Sequence, residues 1–291
     1  MAQLNDESLK VSVYISTHNR LARLKRAMQS VLSQTYSNIE ILVCDDASSD
    51  GTQEYMTTLC YKDKRVRYFR NETNQGACVT RNLGIFNATG YFITGLDDDD
   101  EFEPERVKIC LDNWEDKYSF LSFNFYDCYN NDKRVLHYKK LKRTKYLGYK
   151  NILFDNLASN QVFTLTSRMR EIGGFDVRAK RLQDWDTWLR LGYKFGTFKI
   201  LPHTTYIMHH DHRQDEKRVS KAYPLSLALS DLKQRNADLY DRDESNFMDY
   251  LVSLENKKAK FQESITWAIK MKKPKYLLKY FGQYLSKNIY R

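Results

Sequence analysis

Three times in the first hundred residues a short apolar run stops abruptly at a polar cluster. Residues 11–16 (VSVYIS) lead into Ser-Thr-His-Asn-Arg at 16–20, residues 39–44 (IEILVC) into the polar stretch 45–50, and residues 91–96 into four aspartates at 97–100. Each run predicts a strand. Apolar residues at Leu21, Leu24, Ala27, Met28, Val31 and Leu32 fall at helical spacing; 65–69 reads as a further strand and 77–88 as a helix. Strand, polar loop and helix in repetition predict an α/β chain with a doubly wound, mostly parallel sheet flanked by helices. Ligands of such sheets bind beyond the carboxyl ends of the strands. The three polar clusters should therefore converge on one crevice.

Past residue 117 the order loosens. Strands are expected over 119–126 and 161–166, and a helix over 184–193, while Pro104 suits the first turn of the helix after the acidic run. From about residue 221 the chain reads as helical, with a polar stretch at 236–246 that suits a linker. A catalytic domain over 1–220 and a helical, basic extension over 221–291 follow. With 42% hydrophobic and 29% charged residues, the chain carries enough apolar side chains for a sizeable core.

The acidic run is the sharpest chemical signal. Asp97, Asp98, Asp99, Asp100 and Glu101 repel one another unless a cation neutralises them. An isolated acidic turn is usually solvated, but this one ends an apolar strand and precedes a helix start, which points to a hard divalent ion, Mn²⁺ or Mg²⁺. Prenyl-diphosphate enzymes carry similar aspartates on all-helical folds, which the strand pattern here excludes.

Five segments in order, VSVYISTHNR at 11–20, EILVCDDASSDGT at 40–52, NQGACVTRNLG at 74–84, LDDDDEFEP at 96–104 and GGFDVRAKRLQDWDTWLR at 173–190, together resemble the family 2 glycosyltransferases of bacterial surface-polysaccharide type, over roughly residues 10 to 215. The resemblance implies a GT-A fold. It also implies inverting transfer of a hexose or N-acetylhexosamine from a nucleotide-sugar, with UDP the expected nucleotide. The expected acceptor is a saccharide hydroxyl, carried on a lipid diphosphate. By the same resemblance Asp46 would meet the nucleotide base, with Thr17, Asn19 and Arg20 lining its pocket. Asp97 would hold the ribose, Asp98 and Arg81 would lie by the donor, and Asp99 would bind the metal. Asp184 would be the general base, for sugar transfer to a hydroxyl requires removal of that proton; Asp186, two residues on, is its rival. A histidine is expected near the metal, His209 or His210, with His212 in the same cluster. Ile207 stands where the family often has arginine, so the choice among them stays open. Trp185 and Trp188 could stack on a sugar or belong to the core.

Two other readings compete. A sugar-1-phosphate nucleotidyltransferase would need a glycine-rich phosphate loop after the first strand, and residues 16–20 contain no glycine. A nucleic-acid-binding protein would explain the net charge of +10, but that charge is not on a recognisable module. Residues 257–291 hold ten Lys/Arg and one acid, Glu263, and the rest of the chain is nearly neutral. No nucleic-acid partner is therefore expected. The tail, with Leu277, Tyr280, Phe281, Tyr284, Leu285 and Ile289 at helical spacing, reads as an interfacial helix on an anionic membrane. Residues 133–150 carry eight Lys/Arg and no acid, and are expected near the acceptor's diphosphate or lipid headgroups. Five scattered cysteines, no signal-like N-terminus and no long apolar stretch suggest a cytoplasmic protein, peripheral at the inner face of the membrane.

Overall fold

The structure is a computed structural model that describes residues 9–129, 133–159, 161–211 and 223–288, with side chains to residue 282. The described residues fall into two compact units, one within 1–177 and 183–216 and the other within 178–182 and 217–291.

The first unit is built on one ten-stranded sheet. β1 (Val11–Thr17), β2 (Ile39–Asp45), β3 (Val66–Arg70) and β4 (Phe92–Asp97) run parallel in the order β3-β2-β1-β4. Helices α1 (Leu21–Leu32), α2 (Thr52–Lys62) and α3 (Ala77–Asn87) connect them. α1 buries Leu24, Ala27, Met28 and Val31, the stripe that its spacing predicts. α3 approaches β1 and β2 so closely at Gly84 that a Cβ there would lie 2.6 Å from the Tyr14 Cβ and 3.2 Å from the Cys44 sulfur. Glycine is required at that position by contact, not by conformation.

The second half of the sheet is mixed. After β5 (Glu101–Phe102) and α4 (Arg106–Asp112) come β6 (Leu121–Tyr129), β7 (Lys133–Leu136), β8 (Lys145–Leu147), β9 (Phe163–Leu165), α5 (Thr166–Glu171), α6 (Gln183–Phe195) and β10 (Phe198–His209). β9 lies antiparallel between β4 and β6, and β6 pairs parallel with β10, so β4, β6 and β10 point the same way. The parallel expectation thus holds for the strands that end in the three polar clusters, and antiparallel strands extend the sheet beyond them. α4 begins two residues after Pro104, whose carbonyl accepts from Thr35 N.

The basic segment 133–150 departs from its expected place. β7 pairs antiparallel with the end of β6, but β8 pairs with the beginning of β10, Lys145 opposite Ile200. Only Lys133 and Arg134 lie at the carboxyl end of the strands, and Arg134 is bound to Glu103 at 2.9 Å. Lys139, Lys140, Lys142 and Arg143 lie in the connection between β7 and β8, and like Lys145 they are exposed. Backbone pairing is indifferent to side-chain charge, so a lysine-rich run can add strands to an open edge.

The second unit holds α7 (Leu225–Arg235), α8 (Arg242–Glu255), α9 (Phe261–Lys270) and α10 (Lys275–Asn288). The polar stretch at 236–246 is a short 3₁₀ turn and then the start of α8, not an extended linker. Asp241 and Glu244 form a reciprocal capping box there. Tyr276 of α10 is buried against Phe247 and Tyr250 of α8. Leu278 and Phe281 are exposed, as are Ile269 and Phe261 on α9. Of the tail residues put on the apolar face, the side chains of Tyr284 and Leu285, and all of Ile289, lie outside the described residues, as does His212. Among the described residues no helix is long and apolar enough to cross a membrane.

Candidate active site

The polar clusters do meet. The loop after β1 is tied to the loop after β2: His18 Nδ1 lies 2.7 Å from the Asp46 carbonyl, Asn19 N donates to Ser48 Oγ at 2.8 Å, and Ser49 N donates to Asn19 Oδ1 at 2.7 Å. Asn19 (φ 52°) and Ala47 (φ 61°) both take the left-handed conformation. Asparagine tolerates it well. At alanine it costs about 1–2 kcal/mol, a local strain of the kind that gathers at functional sites. Asp46 lies beneath this junction and accepts from Asn71 Nδ2, Gln75 N and Gly76 N, each at 2.8 Å. It therefore shapes the pocket by holding the 71–76 turn.

Each aspartate of the acidic run has different partners. Asp97 Oδ1 accepts from Arg81 Nη2 at 2.9 Å and Gln161 Nε2 at 3.1 Å. Asp98 accepts from Thr17 Oγ1 at 2.8 Å and Arg20 Nη1 at 3.1 Å. Asp99 shares that Arg20 nitrogen at 3.3 Å. Asp100 is buried, bound by Tyr206 OH at 2.7 Å and His209 N at 2.8 Å, so it serves the fold rather than a ligand. Burial and the neighbouring Asp99 push Asp98 up to about 6 against the pull of Arg20. Burial, Asp99 and Asp97 likewise raise Asp100. Burial, the first cause in both, disfavours the charged form unless a further cation enters.

Among the described residues no three His, Cys, Asp or Glu side chains are arranged to hold a metal ion unaided. Crowded carboxylates at one strand end nonetheless suit a hard cation held by one or two of them and completed by a ligand's own oxygens. The histidines divide between two strand ends. His209 Nε2 pairs with Glu101 Oε1 at 2.6 Å, beside the acidic run. His210 Nε2 pairs instead with Asp127 on β6 at 2.8 Å.

α6 separates the two rival acids. Asp184 stands in its first turn, 3.8 Å from Arg81 Nη1, with the Oδ1 atom buried and without a hydrogen bond. Its side chain is 29% exposed, so it faces an opening. Burial raises its pKa to about 6, with Arg81 pulling down and Asp97 pushing up. Asp186 is fully buried and bound to Arg190 Nε at 2.9 Å, a pair within the helix that cannot reach a substrate. Trp188 is packed against Phe120 and Phe175, and Trp185 donates its indole N–H to the Ile152 carbonyl. Both tryptophans belong to the core and neither offers a face to a sugar.

Arg81 joins the two halves of the site. It is not a surface arginine: its side chain is 11% exposed, bridging Asp97 and Gln183 Oε1 and lying near Asp184. Burial disfavours its charge, but Asp184 and Asp97 outweigh this and keep it firmly protonated. Three supporting residues have no sequence signal. Gln161 donates to Asp97 and accepts from Tyr14 OH at 2.8 Å. Tyr206 carries Asp100. Arg106, fully buried on the Phe102 and Tyr206 rings, donates to Thr205 Oγ1 and the Gln161 carbonyl and so braces both. An arginine directly after Glu105 looks like an ordinary solvated helix arginine until the fold is known.

Comparison with known proteins places the chain in a family. A glycosyl transferase of Escherichia coli (strain K12), WcaA, provisionally assigned to colanic acid biosynthesis, is 32% identical over 265 residues, 88% of this chain and 92% of its own. A GalNAc(5)-diNAcBac-PP-undecaprenol beta-1,3-glucosyltransferase of Campylobacter jejuni is 35% identical over 116 residues, 40% of this chain and 38% of its own. In fold, the chain is similar to S. aureus TarS 1-349, solved in complex with UDP-GlcNAc, with a TM-score of 0.67 at 19% identity over 94% of this chain and 80% of that one. Residues 12–211 match the family described as Glycosyl transferase family 2, and the chain belongs to that family of glycosyltransferases.

Proposed function

We propose that the enzyme transfers a hexose or N-acetylhexosamine, with inversion, from a UDP-sugar to a hydroxyl of a saccharide carried on a lipid diphosphate, in synthesis of an O-antigen or capsule type of polysaccharide. The observation that carries this reading is Asp184: a partly open carboxylate with an unbonded buried oxygen, raised to about 6, beside the arginine that also holds Asp97. Such a group is ionised at neutral pH yet basic enough to accept a proton. In the reaction the acceptor oxygen bonds to the anomeric carbon as the bond to the diphosphate breaks. Asp184 takes the hydroxyl proton, and the nucleoside diphosphate leaves. One displacement with one base inverts the anomeric configuration.

On the donor side, Asp46 and Thr17 bound the base pocket, Asn19 and Arg20 its rim, and Asp97 the ribose, with Asp98 held behind by Thr17 and Arg20. Asp99 and His209 would hold Mn²⁺ or Mg²⁺, which when bound neutralises the charge that grows on the departing diphosphate. His209 is preferred to His210 because its partner, Glu101, continues the acidic run. UDP is favoured by the TarS complex, and the lipid-linked saccharide and the polysaccharide pathway by the names of the Campylobacter and Escherichia relatives. The lysine-rich residues 257–291 hold the enzyme to an anionic membrane at the cytoplasmic face, where such an acceptor would lie.

The test is UDP or GDP release from a panel of nucleotide-sugars with Mn²⁺ or Mg²⁺, followed by the stereochemistry of the product. Release should need the metal and Asp99, and the rate should fall about tenfold per pH unit below about 6, as Asp184 becomes protonated, and level off above it. Full activity in EDTA would sink the metal role, and an α-linked product from an α-linked donor would sink inversion.

A further inference from the structure

We infer that the carboxyl ends of β6 and β10 carry a subsite for the acceptor saccharide, built from Tyr129, His210, Asp127 and His137. The inference rests on the glycosyl-transfer reading and adds to it the residues that take the acceptor sugar. Asp127 lies between two imidazoles: His210 Nε2 is 2.8 Å from its Oδ1, and His137 Nδ1 is 2.8 Å from its Oδ2. A carboxylate only accepts, so each facing nitrogen carries the hydrogen. His210 Nδ1 and His137 Nε2 are then acceptors, with no partner among the described residues. The Tyr129 ring stacks on His210 at 4.8 Å and 19°, and the residue is 46% exposed. Phe125 backs His137 at 4.1 Å and 23° and is buried.

This is a pre-set recognition surface. An exposed aromatic ring, two imidazoles and a carboxylate are locked by stacking and hydrogen bonds, so little ordering remains on binding. A pyranose has the complementary chemistry. Its C–H face packs on an aromatic ring, and its hydroxyls both donate and accept, which suits nitrogens and carboxylate oxygens left with spare capacity. A neutral sugar fits better than a phosphate, because Asp127 offsets whatever positive charge the histidines carry.

The position fits as well. Asp127 stands opposite Met208, and Cys128 opposite His209, whose backbone N–H is bound to Asp100 of the acidic run. The cluster therefore lies at the same end of the sheet as the donor residues. It lies on β6, β7 and β10, and the donor pocket lies on β1, β2 and β4. The bland alternative is that Asp127 merely fastens β7 to its neighbours. That role would need neither the exposed Tyr129 nor the two open ring nitrogens.

The experiment uses the full chain with ¹³C-labelled histidine, titrated with methyl β-D-glucopyranoside, methyl β-D-galactopyranoside and N-acetylglucosamine in the presence of UDP. At least one sugar should shift the His210 and His137 ring signals saturably. Tyr129→Ala, which removes an exposed ring, should weaken that affinity by about tenfold or more and leave UDP affinity and donor hydrolysis unchanged. Asp127→Asn, a near-isostere, should weaken sugar binding too while keeping the fold. No ring shift with any of the three sugars, or equal sugar affinity in wild type and Tyr129→Ala, would overturn the subsite. A wild-type enzyme that binds no UDP and releases none from any donor would overturn the glycosyl-transfer reading instead, and this inference with it.

Discussion

The carboxyl end of β4 and the connection from β7 to β8 carry opposite charge, and the protein treats them in opposite ways. At β4 each aspartate is held by side chains or backbone brought from distant parts of the chain: Arg81 and Gln161 on Asp97, Thr17 and Arg20 on Asp98, Tyr206 and His209 on Asp100. Between β7 and β8, Lys139, Lys140, Lys142 and Arg143, and then Lys145, project into solvent. Charge held in place by a low-dielectric surrounding acts on one geometry, and charge left in water acts only as a screened field. Catalysis needs the first kind, so the acidic crevice should respond to single atoms and the basic stretches only to sums.

α6 gives the largest test, because it carries both kinds of carboxylate two residues apart. Asp184→Asn should reduce transfer by about 10²- to 10⁴-fold, with donor binding and melting temperature nearly unchanged. Asp186→Asn should do the reverse. It removes the charged partner of Arg190, which is 21% exposed and keeps the Ile172 and Gly174 carbonyls, and a hydrogen bond between charged groups contributes about 1.5–3 kcal/mol. Thermal melting and kinetics on both variants decide the matter: an Asp186→Asn enzyme that is stable but inactive would reverse the assignment of the base.

Much of the crevice was legible in the sequence because strand ends announce themselves. An apolar run that stops at aspartates states both the strand and the direction in which its end points, and the spacing of 97–100 and 184–190 carried the family resemblance. What was not legible depends on tertiary context. Nothing near Gln161 in sequence indicates that it supports Asp97. Residues 236–246 look like a linker because helix-capping residues are polar. The basic run hid β7 and β8, whose stability comes from backbone pairing. His209 and His210 are adjacent in sequence but alternate sides of a strand, and only the neighbours, Glu101 and Asp127, tell them apart.

The tail should show an intermediate effect that is additive. Leu278 and Phe281 are exposed, and Lys272, Lys273, Lys275 and Lys279 belong to the same stretch. Each lysine near an anionic surface contributes about 1 kcal/mol, weakened by salt. Removing the whole tail would uncover Phe247 and Tyr250, on which Tyr276 is packed, so point changes are the cleaner probe. Neutralising Lys272, Lys273 and Lys279 to Gln should lower co-sedimentation with vesicles containing phosphatidylglycerol by about a hundredfold in partition coefficient. Donor hydrolysis should stay as it was. Equal sedimentation of the variant and the wild type would mean that these lysines are simply solvated.

The smallest effect is expected at the basic edge, and it completes the contrast with β4. Sequence alone places residues 133–150 near the acceptor's diphosphate. The pairing of Lys145 with Ile200, at the start of β10, sets the last part of that charge towards the far end of the strand from His209, while Lys139 and Lys140 follow closely on His137. Over such a separation an exposed charge is largely screened, since the Debye length at physiological salt is about 8 Å. Changing Lys142, Arg143 and Lys145 together to Gln should therefore move the acceptor KM by no more than about twofold at that ionic strength, and the donor KM not at all. Any shift that appears at low salt should vanish as salt is added, the signature of a field rather than a contact. An acceptor KM that rises tenfold or more and resists salt would show that this edge binds the acceptor directly, and the distinction between held and solvated charge would then fail for this half of the molecule.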